Sequence, residues 1–397
     1  MDVAAAAPSR TAWGKILCLW LCGVGAGTQF AKASVAFDAL REFYHASPAL
    51  AGWLVSSVGV TGVVFGATAG IFVSRLGLRA SLLAALALGV ALSLFQATLP
   101  PLWAFLASRI VEGASHLAII VAAPSCLPML TAAHRRGIVL GFWGTFFSVG
   151  FLVAGAVGPS VLAFARLRGL FVAHAAWMAA LAIGAYHAAP ADETRRASPP
   201  LSARALINQH IDVYANARTA TPAFCFLGYT GMFLALQTLT PDLAPHGYRY
   251  ALIVGMPLAS LVTTLSAGAL AQRFSPFLVT ASAFAATLAA SVLLHLTLGH
   301  EAGITPVALA RMACLSLLPG AIYPMIPRLN AAPAMQARAY GAIAQLGNVG
   351  SVLGPPIYGA AIAAWGANGM LAPTAALCIG GMIVAWLAGR RFGSAAR

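Results

Sequence analysis

Arg109, Glu112 and His116 stand together in the stretch RIVEGASH, inside a long apolar run. Successive helical residues turn by about 100°, so the three side chains fall within an arc of roughly 60° on one helix face. A guanidinium, a carboxylate and an imidazole on one face could hold an anion and carry a proton. Arginine grips a carboxylate through paired N–H donors, and histidine titrates near neutrality. An ionised side chain at a bilayer centre costs at least ~2.5–3.5 kcal/mol, so three titratable groups there point to function.

The surroundings of that stretch are those of a membrane protein. The chain has 397 residues, of which 60% are hydrophobic and 8% charged, and its mean hydropathy is +0.85. About 20 apolar residues cross a hydrocarbon core. Twelve such runs occur: 14–36, 48–73, 79–98, 102–128, 138–164, 170–190, 222–244, 250–272, 276–298, 304–327, 339–364 and 369–389. Long continuous runs predict an all-α integral membrane fold of twelve transmembrane helices; a barrel would show short alternating strands. Ser47-Pro48, Thr221-Pro222, Ser275-Pro276 and Thr305-Pro306 read as helix starts, with a capping hydroxyl before a first-turn proline. The first run is too long for a cleavable signal peptide and reads as a retained helix.

The net charge of +14 invites a nucleic-acid reading, which its distribution excludes. With the N-terminal side taken as inside, alternate loops carry sixteen Lys and Arg within and four without, namely Arg41, Arg166, Arg168 and Arg249. That asymmetry puts both termini in the cytoplasm; the expected location is a bacterial-type inner membrane. The six cysteines lie within spans without metal-type spacing, so neither a disulfide framework nor a metal site is expected.

The longest polar stretch, 191–221, separates an N-terminal six-helix bundle (1–190) from a C-terminal one (222–397). Around Leu206, Ile207, Ile211 and Tyr214 it forms either a short amphipathic surface helix or a disordered linker. The halves echo each other. GIFVSR ends the second run and GALAQR the eighth, 198 residues later; Arg109 and Arg311 lie 202 apart, and Gly158-Pro159 and Gly354-Pro355 lie 196 apart. Near-constant offsets mark an internal duplication, as in transporters built from two related halves. Gly62, Gly66 and Gly70 form an i,i+4 ladder on span two, which lets helix backbones approach closely in lipid.

With these motifs the chain resembles the major facilitator superfamily (MFS) of transporters over its whole length. GIFVSRLGLRA follows the family's loop pattern G-x-x-x-D-R-x-G-x-R-R at Gly70, Arg75, Gly77 and Arg79. Ser74 replaces the aspartate that latches the halves in the family, which implies a weaker latch, and Ala80 replaces the last basic residue. Arg109 and Gly113 match the span-four pattern R-x-x-Q-G, with Glu112 in the glutamine position. The exporters' glycine-rich span-five motif is degenerate at Gly158 and Pro159. Its spacing recurs better in span eleven, at Gly341, Gly350, Gly354, Pro355 and Gly359. The resemblance implies two pseudo-symmetric bundles around a central cavity lined by spans one, four, seven and ten.

Three cations remain within the membrane: Lys32, Arg109 and Arg311, against one deep acid, Glu112. By helical rise they occupy one layer, roughly 10 Å below the outer ends of spans one, four and ten. Span seven brings Gln237 to comparable depth, with Tyr229 lower. One reading makes Arg109–Glu112 a structural ion pair while Lys32 and Arg311 snorkel outward. The other notes that one carboxylate leaves a surplus of two positive charges for an anionic substrate. Lys32, Arg109, Arg311, Gln237 and Tyr229 are then the substrate ligands, and Glu112 or His116 carries the proton. His174, His187 and His295, on outer spans, read as helix–helix hydrogen bonders.

The expectation is a secondary active transporter of a small organic anion, coupled to protons, working by alternating access as a monomer without cofactors. The alternative is an exporter of drug-like or siderophore-like compounds, with Tyr229, Trp143 and Tyr323 as bulky cavity residues. No H-E-x-x-H, G-x-S-x-G or paired intramembrane aspartates occur, so an intramembrane enzyme lacks its parts, and no P-loop supports direct use of ATP. A non-transporting receptor could keep the same fold.

Overall fold

The computed structural model describes residues 10–191, 210–298 and 301–393. Regular structure among these residues is helical throughout. Among the described residues, ten helical segments are long and apolar enough to cross a membrane. Two of them, Gly141–Ala188 with 48 residues and Arg338–Phe392 with 55, are each about two crossings long. The first bends at Arg166, where φ is 56°, and the second is divided at Gly366, where φ is 60°. Counted so, the chain has the length for the expected twelve.

In chain order, spans one to four are Trp13–Val35, Pro48–Phe65, Leu78–Ala97 and Leu102–Leu130. Spans five and six are the limbs of Gly141–Ala188. Spans seven to ten are Ala217–Leu243, Gly247–Ala267, Pro276–Thr297 and Gly303–Leu329, and the limbs of Arg338–Phe392 are eleven and twelve. Trp13 lies beneath Arg135, and Phe392 beneath Arg218. These pairs gather the start of spans one and seven with the ends of four and twelve, at the terminal end of the molecule. The opposite end is the far end.

Two of the four hydroxyl–proline pairs start helices. Ser47 accepts the Leu50 N–H at 3.3 Å ahead of Pro48, and Ser275 stands at a helix N-terminus ahead of Pro276 without a capping bond. Thr221-Pro222 and Thr305-Pro306 lie inside helices instead. Span seven begins earlier because Asn216 caps it, accepting the Arg218 N–H at 2.9 Å. Pro222 has no N–H for the Arg218 carbonyl one turn back; the Asn330 side chain donates to that carbonyl at 3.1 Å. Of the polar linker, 192–209 lie outside the described residues, Leu206 and Ile207 among them. Residues 210–215 are helical, and the Tyr214 hydroxyl donates to Gln345 Oε1 at 2.9 Å.

Spans one and seven are the most enclosed, 78% buried against 33% for span three and 39% for span nine. Around them the halves meet along glycine-lined seams. A Cβ on Gly52 would stand 2.6 Å from the Pro355 backbone, and one on Gly66 2.8 Å from Gln345 Cα. Gly62 abuts Asn348, Gly59 abuts Val352, and from the other side Gly359 rides on Pro48 and Gly341 on Ala67. Spans two and eleven thus touch along most of their length, because no side chain keeps their backbones apart. The ladder stops before Gly70, around which nothing lies within 4 Å of a Cβ position. A second seam joins spans five and eight, where Ser148 and Ser260 hydroxyls meet at 2.9 Å and Gly155 accommodates Ile253.

The remaining motif residues act within one half or the other. Gly77 turns the chain between spans two and three with φ 93°, which only glycine adopts freely. Arg75 lies on the last turn of the preceding helix, Ala69–Leu76. Arg79 donates to the Tyr186 carbonyl at 2.7 Å and covers its ring, tying the loop to the end of span six. Gly158, beside Pro159, admits Val35 of span one. Gly354, beside Pro355, lies against the Gly231 carbonyl of span seven.

Candidate functional site

Glu112 is the centre of a polar cluster walled into the N-terminal half. Its Oε1 receives Lys32 Nζ at 2.6 Å, and its Oε2 receives Arg109 Nη1 at 2.5 Å and Gln96 Nε2 at 2.9 Å. Glu112 and Arg109 have no exposure and Lys32 only 2%. A buried carboxylate held by two cations is stabilised by their charge, while removing the carboxylate strands buried cations at a cost of about 3–5 kcal/mol.

Arg109 owes its placement to a break in span two. The α-helix Pro48–Ser56 gives way to a single 3-10 turn, Ser57–Gly59. There the carbonyls of Leu54 and Val55 accept Arg109 Nε at 3.0 Å and Nη2 at 2.9 Å. Nη1 also reaches the Gln29 carbonyl at 2.8 Å. With these bonds and Glu112, every guanidinium nitrogen is engaged, through four of its five N–H groups. The geometry therefore favours a structural part for Arg109 over the open substrate clamp the sequence suggested.

Lys32 also donates to Ser93 Oγ at 2.9 Å, and Ser93 Oγ lies 2.8 Å from His174 Nδ1. His174 Nε2 lies 3.2 Å from Thr28 Oγ1, and its Nδ1 is 3.4 Å from Lys32 Nζ. A chain of groups able to exchange protons thus runs from Glu112 through Lys32 and Ser93 to His174. His116, one turn along span four from Glu112, points elsewhere. Its Nδ1 sits 3.0 Å from the Ala26 carbonyl and its ring meets Phe30 edge-on. Of the two histidines, His174 rather than His116 belongs to the cluster. The resemblance implies a site built around a central cavity lined by spans one, four, seven and ten. Ser93 and Gln96 of span three and His174 of span six are instead half of this site. The available signal was two polar residues, Ser93 and Gln96, one turn apart in a helix that is apolar from Leu82 onward apart from them.

Arg311 is not brought to this cluster. It lies 2% exposed in the other half, donates to Thr240 Oγ1 at 2.5 Å and has no hydrogen-bond partner for Nε. Gln237 lines a small cavity at the seam with Ser34, Phe151, Asp242 and Arg249, and its Oε1 is unpartnered. Tyr229 stands in a file of aromatic rings that crosses the seam. Phe30 contacts Phe147, which contacts Phe233 of the other half at 5.8 Å, and the file continues through Tyr229, Phe226 and Tyr323 to Tyr340. Phe30, Phe233 and Tyr229 are buried, whereas Tyr323 and Tyr340 at the terminal end are 38% and 47% exposed. Trp143 packs on Gly23 within its own half.

The far end of the seam is closed by polar contacts. Ser34 and Thr238 hydroxyls meet at 2.7 Å. Arg249 bonds Asp38 across the seam and Asp242 of its own half, the latter at 2.8 Å. Among the described residues, no group of three or more His, Cys, Asp or Glu could hold a metal ion.

Comparison with known proteins bears on what kind of machine this is. A sequence profile described as Major Facilitator Superfamily matches residues 19–355. The chain belongs to that superfamily. It is thus a multi-pass membrane protein of a transporter family, built from the small-molecule-carrying fold the motifs implied. The superfamily fold is evident too in a crystal structure titled as a bacterial homologue of the human lysosomal transporter Spinster, inward-facing and occupied. It matches with a TM-score of 0.75 at 14% identity, covering 96% of this chain and 97% of that one. A curated relative, the inner membrane transport protein YajR of Escherichia coli, is 29% identical over 136 residues. That match covers 34% of this chain and 28% of YajR, so the chain spans little more than a quarter of that relative's length.

Proposed function

We propose that this superfamily member is a secondary active transporter that moves a small organic anion together with protons, by alternating access between its halves. The observation that carries the reading is Glu112 held between Lys32 and Arg109, 2.6 and 2.5 Å away. While Glu112 is ionised it occupies the charge of the pair. Once it is protonated, Lys32 is left without a counter-charge and with a surplus for an incoming carboxylate. Proton and anion then favour each other's binding, which is the reciprocal coupling a symporter needs. Lys32 lies two residues before Ser34, at the seam, so a change at Glu112 has a short route to the contact between halves. Gln237 and Tyr229 supply polar and aromatic contacts at the seam, and Ser93 and His174 give the proton a way on.

The charge asymmetry of the loops supports both termini being cytoplasmic, which makes the terminal end the cytoplasmic one, and the likeness to the inner membrane transport protein YajR supports an inner-membrane location. The protein works as a monomer in this reading. A second reading, export of drug-like or siderophore-like compounds, is favoured by the aromatic file from Phe147 to Tyr340. The two separate in thermal stabilisation of the purified protein, since a ligand of the folded state raises its melting temperature. A panel of small carboxylates, organic cations and neutral aromatics is measured at pH 5.5 and 7.5. Stabilisation by carboxylates that strengthens at the lower pH supports the proton-coupled anion reading. Stabilisation by cations or neutral aromatics alone, without pH dependence, supports the exporter and overturns the first.

A further inference from the structure

The two halves solve the same electrostatic problem differently. In the N-terminal half the sequence Arg109-Ile110-Val111-Glu112 carries its own counter-ion one turn along. The equivalent stretch, 202 residues later, is Arg311-Met312-Ala313-Cys314, and the carboxylate is gone. Among the described residues no acid pairs with Arg311. An arginine side chain stays charged in proteins, so this cation cannot become neutral to suit its buried position. Its one hydrogen bond goes to a neutral hydroxyl, Thr240, and its Nε has none.

Arg311 lines a small cavity of about 10 Å³, room for about one small ion, with Ser291, His295, Asn368 and apolar side chains that include Leu294 and Met370. His295 Nδ1 is a second buried polar atom there without a partner. The mouth is at the far end: Asn368 is exposed in the turn Gly366–Met370, and span nine ends beside it. The pocket lies among the end of span seven, spans nine and ten and the start of span twelve, away from the span two–eleven and five–eight seams.

We propose that this pocket binds a small monovalent inorganic anion of the chloride type, held by the Arg311 guanidinium, entering from the far end. The ion stands in the C-terminal half where Glu112 stands in the N-terminal half. The narrow, largely apolar wall suits a single weakly hydrated anion and leaves no room for the body of a transported compound. Arg311 is then removed from the substrate ligands. The inference concerns a site apart from the proton cluster and holds whatever the protein carries.

The test is the melting temperature of purified protein at constant ionic strength, with sodium gluconate replaced stepwise by sodium chloride, and in a separate arm by sodium acetate. A saturable rise with chloride is expected for the wild type. Arg311→Met should lose that response. Because that variant could fail to fold, Cys314→Glu serves as the second: it rebuilds the carboxylate at the N-terminal half's spacing. It should melt in gluconate at least as high as wild type does in chloride, and no longer respond to chloride. A chloride response unchanged in Arg311→Met or in Cys314→Glu would overturn the site, as would no chloride response in the wild type. Stabilisation by acetate without chloride would return Arg311 to the substrate and overturn it too. Either result leaves the pH dependence of carboxylate binding at Glu112 as a separate question.

Discussion

Replacing Glu112 by Gln, with and without Lys32→Met, probes the buried cluster most sharply. In the wild type the two carboxylate oxygens receive donors from Lys32 on one side and from Arg109 and Gln96 on the other. An amide keeps the shape but turns one oxygen into a donor, which must face a donor whichever way it is flipped. The two-donor side keeps the remaining oxygen, so the NH₂ group faces Lys32. The ammonium then relies on Ser93 and His174, buried and without a counter-charge. Breaking a buried pair costs about 3–5 kcal/mol. The lower end is expected here, since helices unfolded in a micelle still find partners. Lys32→Met alone leaves Glu112 with Arg109 and Gln96 and should cost less, about 1–3 kcal/mol. In the double variant the stranded ammonium is absent, so the losses should fall short of their sum by about 1–3 kcal/mol. Unfolding in mixed dodecyl maltoside and SDS micelles measures all three. Additivity within about 0.5 kcal/mol would refute the direct pair.

The remaining predictions concern the seam, the latch and the histidines. Gly66→Leu should abolish transport while leaving ligand binding measurable, because its side chain would enter the Gln345 backbone, whereas Gly70→Leu should transport normally; flux measured in proteoliposomes decides both. Arg249→Gln removes the bridge from Asp242 to Asp38 across the halves. A cysteine at Ser34 should then react faster with a thiol reagent added from the far end, and an unchanged rate would mean that the latch does not hold the seam. His174→Leu should weaken coupling of flux to a pH gradient by tenfold or more, while His116→Leu, which loses a bond to the Ala26 carbonyl and an edge contact with Phe30, should leave coupling near wild type. The reverse order would restore His116 as the proton carrier.

The parts of this site that were legible in the sequence are those fixed within one helix. Arg109 and Glu112 share a face by periodicity alone, and they meet at i,i+3. Gly62 and Gly66 announced a close helix contact, although not that it would end before Gly70, since that depends on where span two breaks. Lys32 was legible as a buried cation but not as the partner of Glu112, because that pairing joins residues 80 apart through the rotation of two helices. His174 was illegible for the same reason: whether span six turns it to lipid or to Ser93 is set by packing against spans one and three. The commitment of Arg109 to the Leu54 and Val55 carbonyls could not be read either, because it depends on a 3-10 turn in another span. Charge counts gave the imbalance correctly but not its division, one acid with two cations in one half and a lone arginine in the other.

The central claim is that Glu112 couples proton and substrate movement, and one measurement bears on it directly. Wild-type and Glu112→Gln protein are reconstituted in vesicles with a radiolabelled carboxylate chosen by its stabilisation of the purified protein. Exchange of label across the membrane is recorded without a gradient, and net accumulation is recorded with a pH gradient as the sole driving force. The account predicts that the variant, fixed in a protonated-like form, retains exchange and loses pH-driven accumulation. Accumulation by Glu112→Gln at the wild-type level would contradict it.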